Sequence, residues 1–281
     1  MTVLASIAHH GAGLGYRREL SDKLPSYRQQ IDVVEIMADQ WRLKSSHGRL
    51  REVVTQFDTV THGVGLSVAG AGNIDPDYLQ EIRRVIEICS SEYYSEHLAA
   101  THVPGMDSQH LCPPILSAES LRTCVRNVRQ AQSFLNVPLA IENITYSVST
   151  SSDHLEAANF FADVVTEADA FVLLDVANLY INSRNHHFDP EEYLRRIPMD
   201  RVVHVHLAGG VVNSAGKLID SHSESIGVQV WELARKVAML CAPKTVIVER
   251  DQNFPTIEPL LKEVEVSRNI FFERENQSKA S

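Results

Sequence analysis

Short apolar runs recur along the chain between longer segments whose apolar residues follow helical spacing. Runs of four to eight apolar or β-branched residues indicate buried strands. Six of these runs end in a histidine or a carboxylate, which buried packing alone would not favour because a buried charge needs a partner. The six terminal residues are His62, His97, Glu142, Asp175, His206 and Glu249.

The runs and the helical segments alternate, and the pattern predicts eight strands with a helix after each one. The predicted strands lie within 3–14, 31–37, 57–62, 93–97, 137–142, 170–175, 201–207 and 245–250. Connections of this length suit right-handed crossovers, so we predict an α/β fold of the (β/α)8 TIM-barrel type. A doubly wound open sheet is the alternative, but it would not gather six strand ends around one point.

Particular residues set the predicted helix boundaries. Asp75-Pro76 and Asp189-Pro190 each place a capping carboxylate before a proline at the first helical position. Helices are also predicted over 16–30 and 257–271. The segment 99–117 is predicted to be a long loop, and loops of that length inside a compact domain are commonly functional.

Composition narrows the class of protein. Among 281 residues, 44% are hydrophobic, and no apolar run approaches the ~18 residues that a membrane span needs. The net charge of -10 disfavours nucleic acid as a partner. Four cysteines without a close pair suit a reducing compartment, so we expect a cytoplasmic protein with no membrane partner. We expect one domain over 1–272 and a polar, disordered tail over 273–281.

The strand ends predict a metal site at the mouth of the barrel, where the active sites of TIM barrels lie. Asp220, His222 and Asn178 add donors from the segments that follow strands. Mixed imidazole and carboxylate donors suit zinc, manganese or iron. His204 should point inward like His206 but lie deeper, in a supporting or core role. The candidate ligands are His62, His97, Glu142, Asp175, Asn178, His206, Asp220, His222 and Glu249.

These motifs together resemble a known family, the multinuclear non-heme iron-dependent oxidative enzymes (MNIO, formerly DUF692), whose members include the methanobactin-biosynthesis oxidase. The resemblance runs in the same order over about 11–261. It rests on His62-Gly63-Val64-Gly65-Leu66-Ser67, Ser95-Glu96-His97-Leu98, Ile141-Glu142-Asn143, Leu174-Asp175-Val176-Ala177-Asn178, His206-Leu207-Ala208-Gly209, Ile219-Asp220-Ser221-His222 and Val248-Glu249-Arg250-Asp251.

The resemblance implies a TIM barrel that holds two or three irons of mixed Fe(II)/Fe(III) valence and uses dioxygen. It places the iron ligands on the nine candidate residues, with Asn178 at the more variable position. Asp220 and His222 are also expected to be catalytic, because they complete a third site or move with the substrate. The implied substrate is a cysteine-bearing ribosomal precursor peptide, and the implied partner is a small protein that recognises its leader.

Two other classes of function remain open at this stage. A zinc or manganese barrel of the sugar-isomerase or endonuclease-IV type uses similar ligands for isomerisation or phosphodiester hydrolysis, although the acidic composition disfavours the nuclease. A non-catalytic subunit that binds peptide or sequesters metal is the other alternative. Consumption of dioxygen would separate the oxidative enzyme from both.

Overall fold

A computed structural model describes residues 6–103, 106–147 and 153–273 of the chain. Eight of the strands close into a parallel barrel in the order β1-β12-β9-β8-β7-β4-β3-β2. The (β/α)8 fold predicted from the alternating pattern is therefore confirmed. In chain order the strands are β1 (Gly11–Gly15), β2 (Val33–Met37), β3 (Asp58–Gly63), β4 (Tyr94–His97), β5 (Ala100–Val103), β6 (Met106–Cys112), β7 (Leu139–Glu142), β8 (Phe171–Asp175), β9 (Val202–Leu207), β10 (Gly209–Val212), β11 (Leu218–Glu224) and β12 (Thr245–Val248).

Helices cover the outside of the barrel and bury its outward-facing apolar side chains in one large core. Asp75 caps the helix Pro76–Cys89, and Asp189 caps the helix Pro190–Arg196. Each carboxylate accepts the backbone N–H of the residue two positions later, as the Asp-Pro sequences predict. The α-helices are α1 (His47–Val54), α2 (Pro76–Cys89), α3 (Ala118–Leu135), α4 (Glu156–Glu167), α5 (Val176–His186), α6 (Pro190–Arg196), α7 (Val228–Val237) and α8 (Ile257–Phe271). No helix in these described ranges is long and apolar enough to cross a membrane.

A second, smaller apolar cluster fills the barrel interior below the mouth. Side chains two residues apart on a strand point the same way. Five residues of this cluster, which we call the floor residues, are therefore each followed, two positions later, by a polar side chain one layer nearer the mouth. The floor residues Val33, Val60, Ala140, Leu173 and Ile247 precede Glu35, His62, Glu142, Asp175 and Glu249 in this way.

Glycines allow two close approaches between strands. A Cβ at Gly13 would lie 1.7 Å from the carbonyl oxygen of Val33, and one at Gly63 would lie 1.6 Å from the hydroxyl of Tyr94. The first strand was expected within 3–14, and it occupies the glycine-rich stretch at the end of that window and one residue beyond. The close contact with Val33 requires a glycine at position 13 of this strand.

Other parts of the chain differ from the sequence-based expectation. The helix predicted over 16–30 is wrong, since this segment forms turns and then the 3-10 helix Leu24–Gln30. Pro25 lacks the N–H that an α-helix interior requires. The start of the segment is also anchored by Arg17, which is buried against two acidic residues.

The predicted loop 99–117 instead contains the antiparallel pair β5 and β6. Asp220 and His222 were likewise expected on a loop, but they lie on β11, which pairs with β10. The expected tail 273–281 falls, apart from residue 273, outside the described residues. Two hairpins thus extend from the C-terminal ends of the barrel strands.

Candidate metal centre

The ends of the barrel strands bring the predicted ligands into one buried group at the mouth. Strand register aligns His97 with Glu142, and Asp175 with His206. Neighbouring parallel strands in register carry adjacent side chains, so their donor atoms converge. Three sets that consist only of predicted ligands each place one donor atom per residue within 4.8 Å of the others: His62, His97 and Glu142; Glu142, Asp175 and His206; Asp175, His222 and Glu249.

We name these sets cluster A, cluster B and cluster C, in that order. Glu142 belongs to both A and B, and Asp175 belongs to both B and C. A carboxylate has two oxygens and can bind one cation with each of them. The two shared carboxylates therefore connect the three clusters into one continuous site.

Glu142 lies at the centre of clusters A and B. Its Oε2 is 3.5 Å from Nε2 of His62 and 3.2 Å from Nε2 of His97, while its Oε1 is 3.8 Å from Nδ1 of His206. Oε2 has no hydrogen-bond partner among the described residues. Three imidazoles thus surround one carboxylate, yet within the described residues its Oε2 accepts no hydrogen bond.

Several other buried nitrogen and oxygen atoms that could bind a metal also lack hydrogen bonds within the described structure. Nδ1 of His206 has none, although Oε2 of Glu249 is 3.1 Å away. Oδ1 of Asp220 and Nε2 of His222 are 2.7 Å apart, yet neither makes a hydrogen bond in the part of the chain that the structure describes. Buried polar atoms left without partners carry a large desolvation cost unless a bound species satisfies them. Two further oxygens of the predicted ligands, Asp175 Oδ2 and Asn178 Oδ1, accept no hydrogen bond within the described residues.

Each of the four site histidines is held through its other ring nitrogen. This arrangement is typical of metal-binding histidines, which donate the second N–H to an acceptor that fixes the ring. The contacts are Ser95 Oγ for His62 at 3.0 Å, the Gly63 carbonyl for His97 at 3.0 Å, Glu35 Oε2 for His206 at 2.8 Å and Asp251 Oδ2 for His222 at 3.0 Å.

Asp175 and Asn178 are positioned together where β8 passes into α5. Asp175 caps this helix, because its Oδ1 accepts the backbone N–H of Asn178 at 2.7 Å. The amide nitrogen of Asn178 donates to the carbonyl of Asn143. With the amide nitrogen held in this bond, the amide oxygen of Asn178 has no hydrogen-bond partner among the residues that the structure describes.

Electrostatics at the site show how strongly the acidic groups depend on a cation. Burial and the nearby charges of Glu142 and Asp220 raise the pKa of Asp175 well above its usual range. Burial would raise the pKa of Glu249 as well, but His206, His222 and Arg17 hold it well below its usual range. A bound cation would relieve the repulsion at Asp175 in the same way.

The structure also reveals residues of the site that the sequence interpretation missed. Arg17 donates to Glu249 at 3.1 Å and to Asp251 at 2.6 Å. Glu35 is fully buried and lies beside His206. A charged residue within the apolar run of β2 was a signal for Glu35, since the same reasoning selected Asp175. Arg17 offered no such signal, because only closure of the barrel brings β1 beside β12.

His204 lies below His206 in the barrel interior and is fully buried. Its Nδ1 is 3.3 Å from the hydroxyl of Tyr93, which donates to Oγ1 of Thr245. Burial and the charge of His206 hold the pKa of His204 well below its usual range. His204 therefore belongs to the neutral lining beneath the clusters.

Residues 11–271 match the sequence family described as RiPP precursor modification enzyme MbnB/TglH/ChrH. A UPF0276 protein of Caulobacter vibrioides is 32% identical over 265 residues, covering 92% of this chain and 93% of that protein. Solved structures with a similar fold include a xylose isomerase-like TIM barrel protein from Mycobacterium smegmatis in complex with magnesium (TM-score 0.58, 12% identity, 95% and 99% of the two chains). Endonuclease IV from Thermus thermophilus also shares the fold (TM-score 0.56, 14% identity, 94% and 98%).

Proposed function

This chain belongs to the family of RiPP precursor modification enzymes described as MbnB/TglH/ChrH, and on that premise we propose that it is an iron- and dioxygen-dependent oxidoreductase. Its proposed substrate is a cysteine residue of a ribosomally made precursor peptide. The structural observation that carries the proposal is cluster A. Its two histidines and one carboxylate, His62, His97 and Glu142, are the donor set of non-heme Fe(II) oxygenases.

The proposed iron content follows from the shared carboxylates. Clusters A, B and C would hold two or three irons, with Glu142 and Asp175 each shared between two clusters. Glu249 and Asn178 would complete the ligand set, with Asp220 and His222 on the hairpin. None of these donors is a thiolate, the ligand that commonly marks structural zinc sites. Iron bound here would supply one-electron chemistry with dioxygen and coordination positions open to a cysteine thiolate.

The protein's own residues prepare the site for that chemistry. The four site histidines are fixed through their second nitrogens, so their free nitrogens face the carboxylates. Arg17 balances Glu249 and Asp251 from the side of β1. These groups restrain the ligands before substrate arrives, which lowers the reorganisation needed during reaction.

Asp220 and His222 are the proposed catalytic residues because they lie nearest to solvent. Their side chains are 23% and 15% exposed, whereas those of Glu142 and His206 are at most 2% exposed. A peptide entering between the two hairpins would meet β11 first. There His222 would complete the third site or, with its Nε2 free of metal, could hold or pass on a proton, while Asp251 orients its ring through Nδ1.

A peptide substrate agrees with the family, whose members modify RiPP precursors. We further propose a small partner protein that recognises the peptide leader. All four cysteines of the chain are free, which fits the reducing cytoplasm.

The test uses the whole chain, purified without oxygen and loaded with Fe(II), and a short cysteine-bearing peptide encoded beside its gene. We expect dioxygen consumption and a mass change localised to a cysteine, both lost in His97→Ala. Zinc-loaded protein is the control and should be inactive. Full activity with zinc and without dioxygen would refute the proposal and favour an isomerase or phosphodiesterase. Metal binding without any turnover would favour a non-catalytic subunit.

A further inference from the structure

Glu35 is a carboxylate that no part of the proposed ligand set requires. It extends from β2 into the barrel interior, and its side chain is 0% exposed. Its Oε2 accepts a hydrogen bond from Nε2 of His206 at 2.8 Å. A fully buried carboxylate is costly unless it makes strong interactions. Within the described residues, His206 provides the only hydrogen bond to the carboxylate of Glu35, and Oε1 of Glu35 has no partner.

This contact determines which nitrogen of His206 faces the clusters. A histidine that binds a metal is neutral, with one N–H donor and one lone pair. When Nε2 donates its proton to Glu35, the lone pair lies on Nδ1. That atom is 3.1 Å from Glu249 and 3.8 Å from Glu142, and it makes no hydrogen bond within the described structure.

The acceptor nearest to His206 differs from those nearest to the other site histidines. Ser95 offers a hydroxyl to His62, and Gly63 offers a carbonyl to His97 at 3.0 Å. The carboxylate of Glu96 lies farther from the same nitrogen of His97, at 3.2 Å, and its Oε1 also accepts the backbone N–H of His97. Asp251 is a carboxylate, but its side chain is 41% exposed. A charged acceptor in a dry interior binds an N–H donor more strongly than a neutral acceptor or one in water.

We propose that Glu35 is a positioning residue that holds His206 with Nδ1 directed into cluster B and makes that nitrogen a stronger metal ligand. The inference deepens the proposed function, because it rests on a metal being bound at cluster B. Outer carboxylates on metal-binding histidines typically change metal affinity by about 10- to 100-fold.

The geometry also allows a competing arrangement. Glu35, His204 and His206 have donor atoms within 4.8 Å of one another and could themselves hold an ion. In that case Nε2 of His206 would bind the deep ion instead of donating to Glu35, and His204 would be a ligand. Under the positioning role His204 is not a ligand, so a variant of His204 separates the two arrangements.

The experiment compares Glu35→Met, Glu35→Gln and the matched interior control His204→Gln in the full-length, Fe(II)-loaded protein. Methionine is apolar and of similar length, so it suits the floor of the barrel but accepts no strong hydrogen bond. Glutamine retains an oxygen acceptor and loses the charge. The measurements are iron per chain, the rate of iron release to a chelator, and circular dichroism to verify folding.

We expect Glu35→Met to release cluster B iron about 10- to 100-fold faster than the unchanged chain, with Glu35→Gln between the two. His204→Gln should retain the iron content and release rate of the unchanged chain. Unchanged release in folded Glu35→Met would overturn the proposal. An equal loss in His204→Gln would also overturn it, in favour of a deep ion.

Two further outcomes are distinguishable. Should Glu35→Met fail to fold, Glu35→Gln decides the question, because release unchanged in that variant contradicts the positioning role. Should the unchanged chain bind no metal, the proposed function itself fails, irrespective of Glu35.

Discussion

Oε2 of Glu142 lies 3.2 Å from Nε2 of His97, and both side chains are largely buried. Burial alone would lower the pKa of His97, but the charges of Glu142 and Glu96 outweigh it and raise this pKa to about 9. In the metal-free protein, His97 therefore carries a proton where the proposed ion would lie.

This pair predicts how the stability of the metal-free protein depends on pH. The pKa of His97 is raised in the folded state, from 6.5 to about 9. The contribution of protonated His97 to folding stability is therefore complete below pH 6.5 and is lost as the pH rises through about 9. The pKa values of His206 and His222 are raised too, and act in the same direction. Denaturant unfolding should show that the free energy of unfolding of the metal-free protein falls by on the order of 3 kcal/mol between pH 6.5 and pH 10.

Iron-loaded protein is the control for this experiment. A bound metal replaces the proton on the histidine. The stability of the iron-loaded protein should therefore change much less over the same pH range. Metal-free protein that becomes more stable between pH 6.5 and pH 10 would contradict the assignment of charge at His97.

Replacing Asp175 with asparagine should separate metal binding from stability. Asp175 is shared by clusters B and C, so Asp175→Asn should lower the metal content by at least one ion per chain. The asparagine can still accept the N–H of Asn178 at the start of α5. The substitution also removes a buried carboxyl group whose pKa is raised strongly by burial. The metal-free variant should therefore melt at the same temperature or higher. Unchanged metal occupancy would remove Asp175 from the ligand set.

Arg17 should be important for the stability of the metal-free chain. Its guanidinium is buried and pairs with Glu249 and Asp251. Arg17→Met removes the guanidinium partner of these two acidic groups, and breaking a buried ion pair in this way should cost roughly 3 to 5 kcal/mol in the free energy of unfolding. Arg201→Met is the matched control, because Arg201 pairs with Asp169 at the surface and should cost at most about 1 kcal/mol. Equal losses of unfolding free energy in the two variants would contradict the special importance of Arg17.

The cysteines should differ sharply in their reactivity. Burial raises the pKa of Cys124 to about 11, and those of Cys89 and Cys241 to about 12. These thiols stay protonated at pH 8, and the thiolate is the reactive form. Cys112 is exposed on β6. A thiol reagent at pH 8 should therefore label one cysteine per folded chain quickly, and peptide mapping should locate it at Cys112. Rapid labelling of Cys89 would contradict the prediction.

Much of the barrel could be predicted from the sequence because its signals are local. Apolar runs that end in His62, Glu142 or Asp175 identify both a strand and the residue that it delivers to the mouth. Parallel strands then gather these ends, so the residues of the clusters follow from the fold. The Asp-Pro helix starts at Asp75 and Asp189 are equally local, and the structure confirms them.

The features that could not be predicted depend on contacts between distant segments. Arg17 was assigned to a helix, yet its partner Glu249 lies at the other end of the chain, across the closure of the barrel. The hairpin that carries Asp220 and His222 arises from pairing between β10 and β11, and its polar residues have no strand-like apolar pattern. Such pairings are set by tertiary structure, which overrides local preference.

The most direct test of the account is the metal content per chain, measured by plasma mass spectrometry on protein purified without oxygen and combined with Mössbauer spectroscopy. Since Glu142 and Asp175 connect three clusters, we predict two or three irons per chain with antiferromagnetic coupling between them. A single zinc or manganese ion, with failure of iron reconstitution, would contradict the proposed multinuclear iron centre.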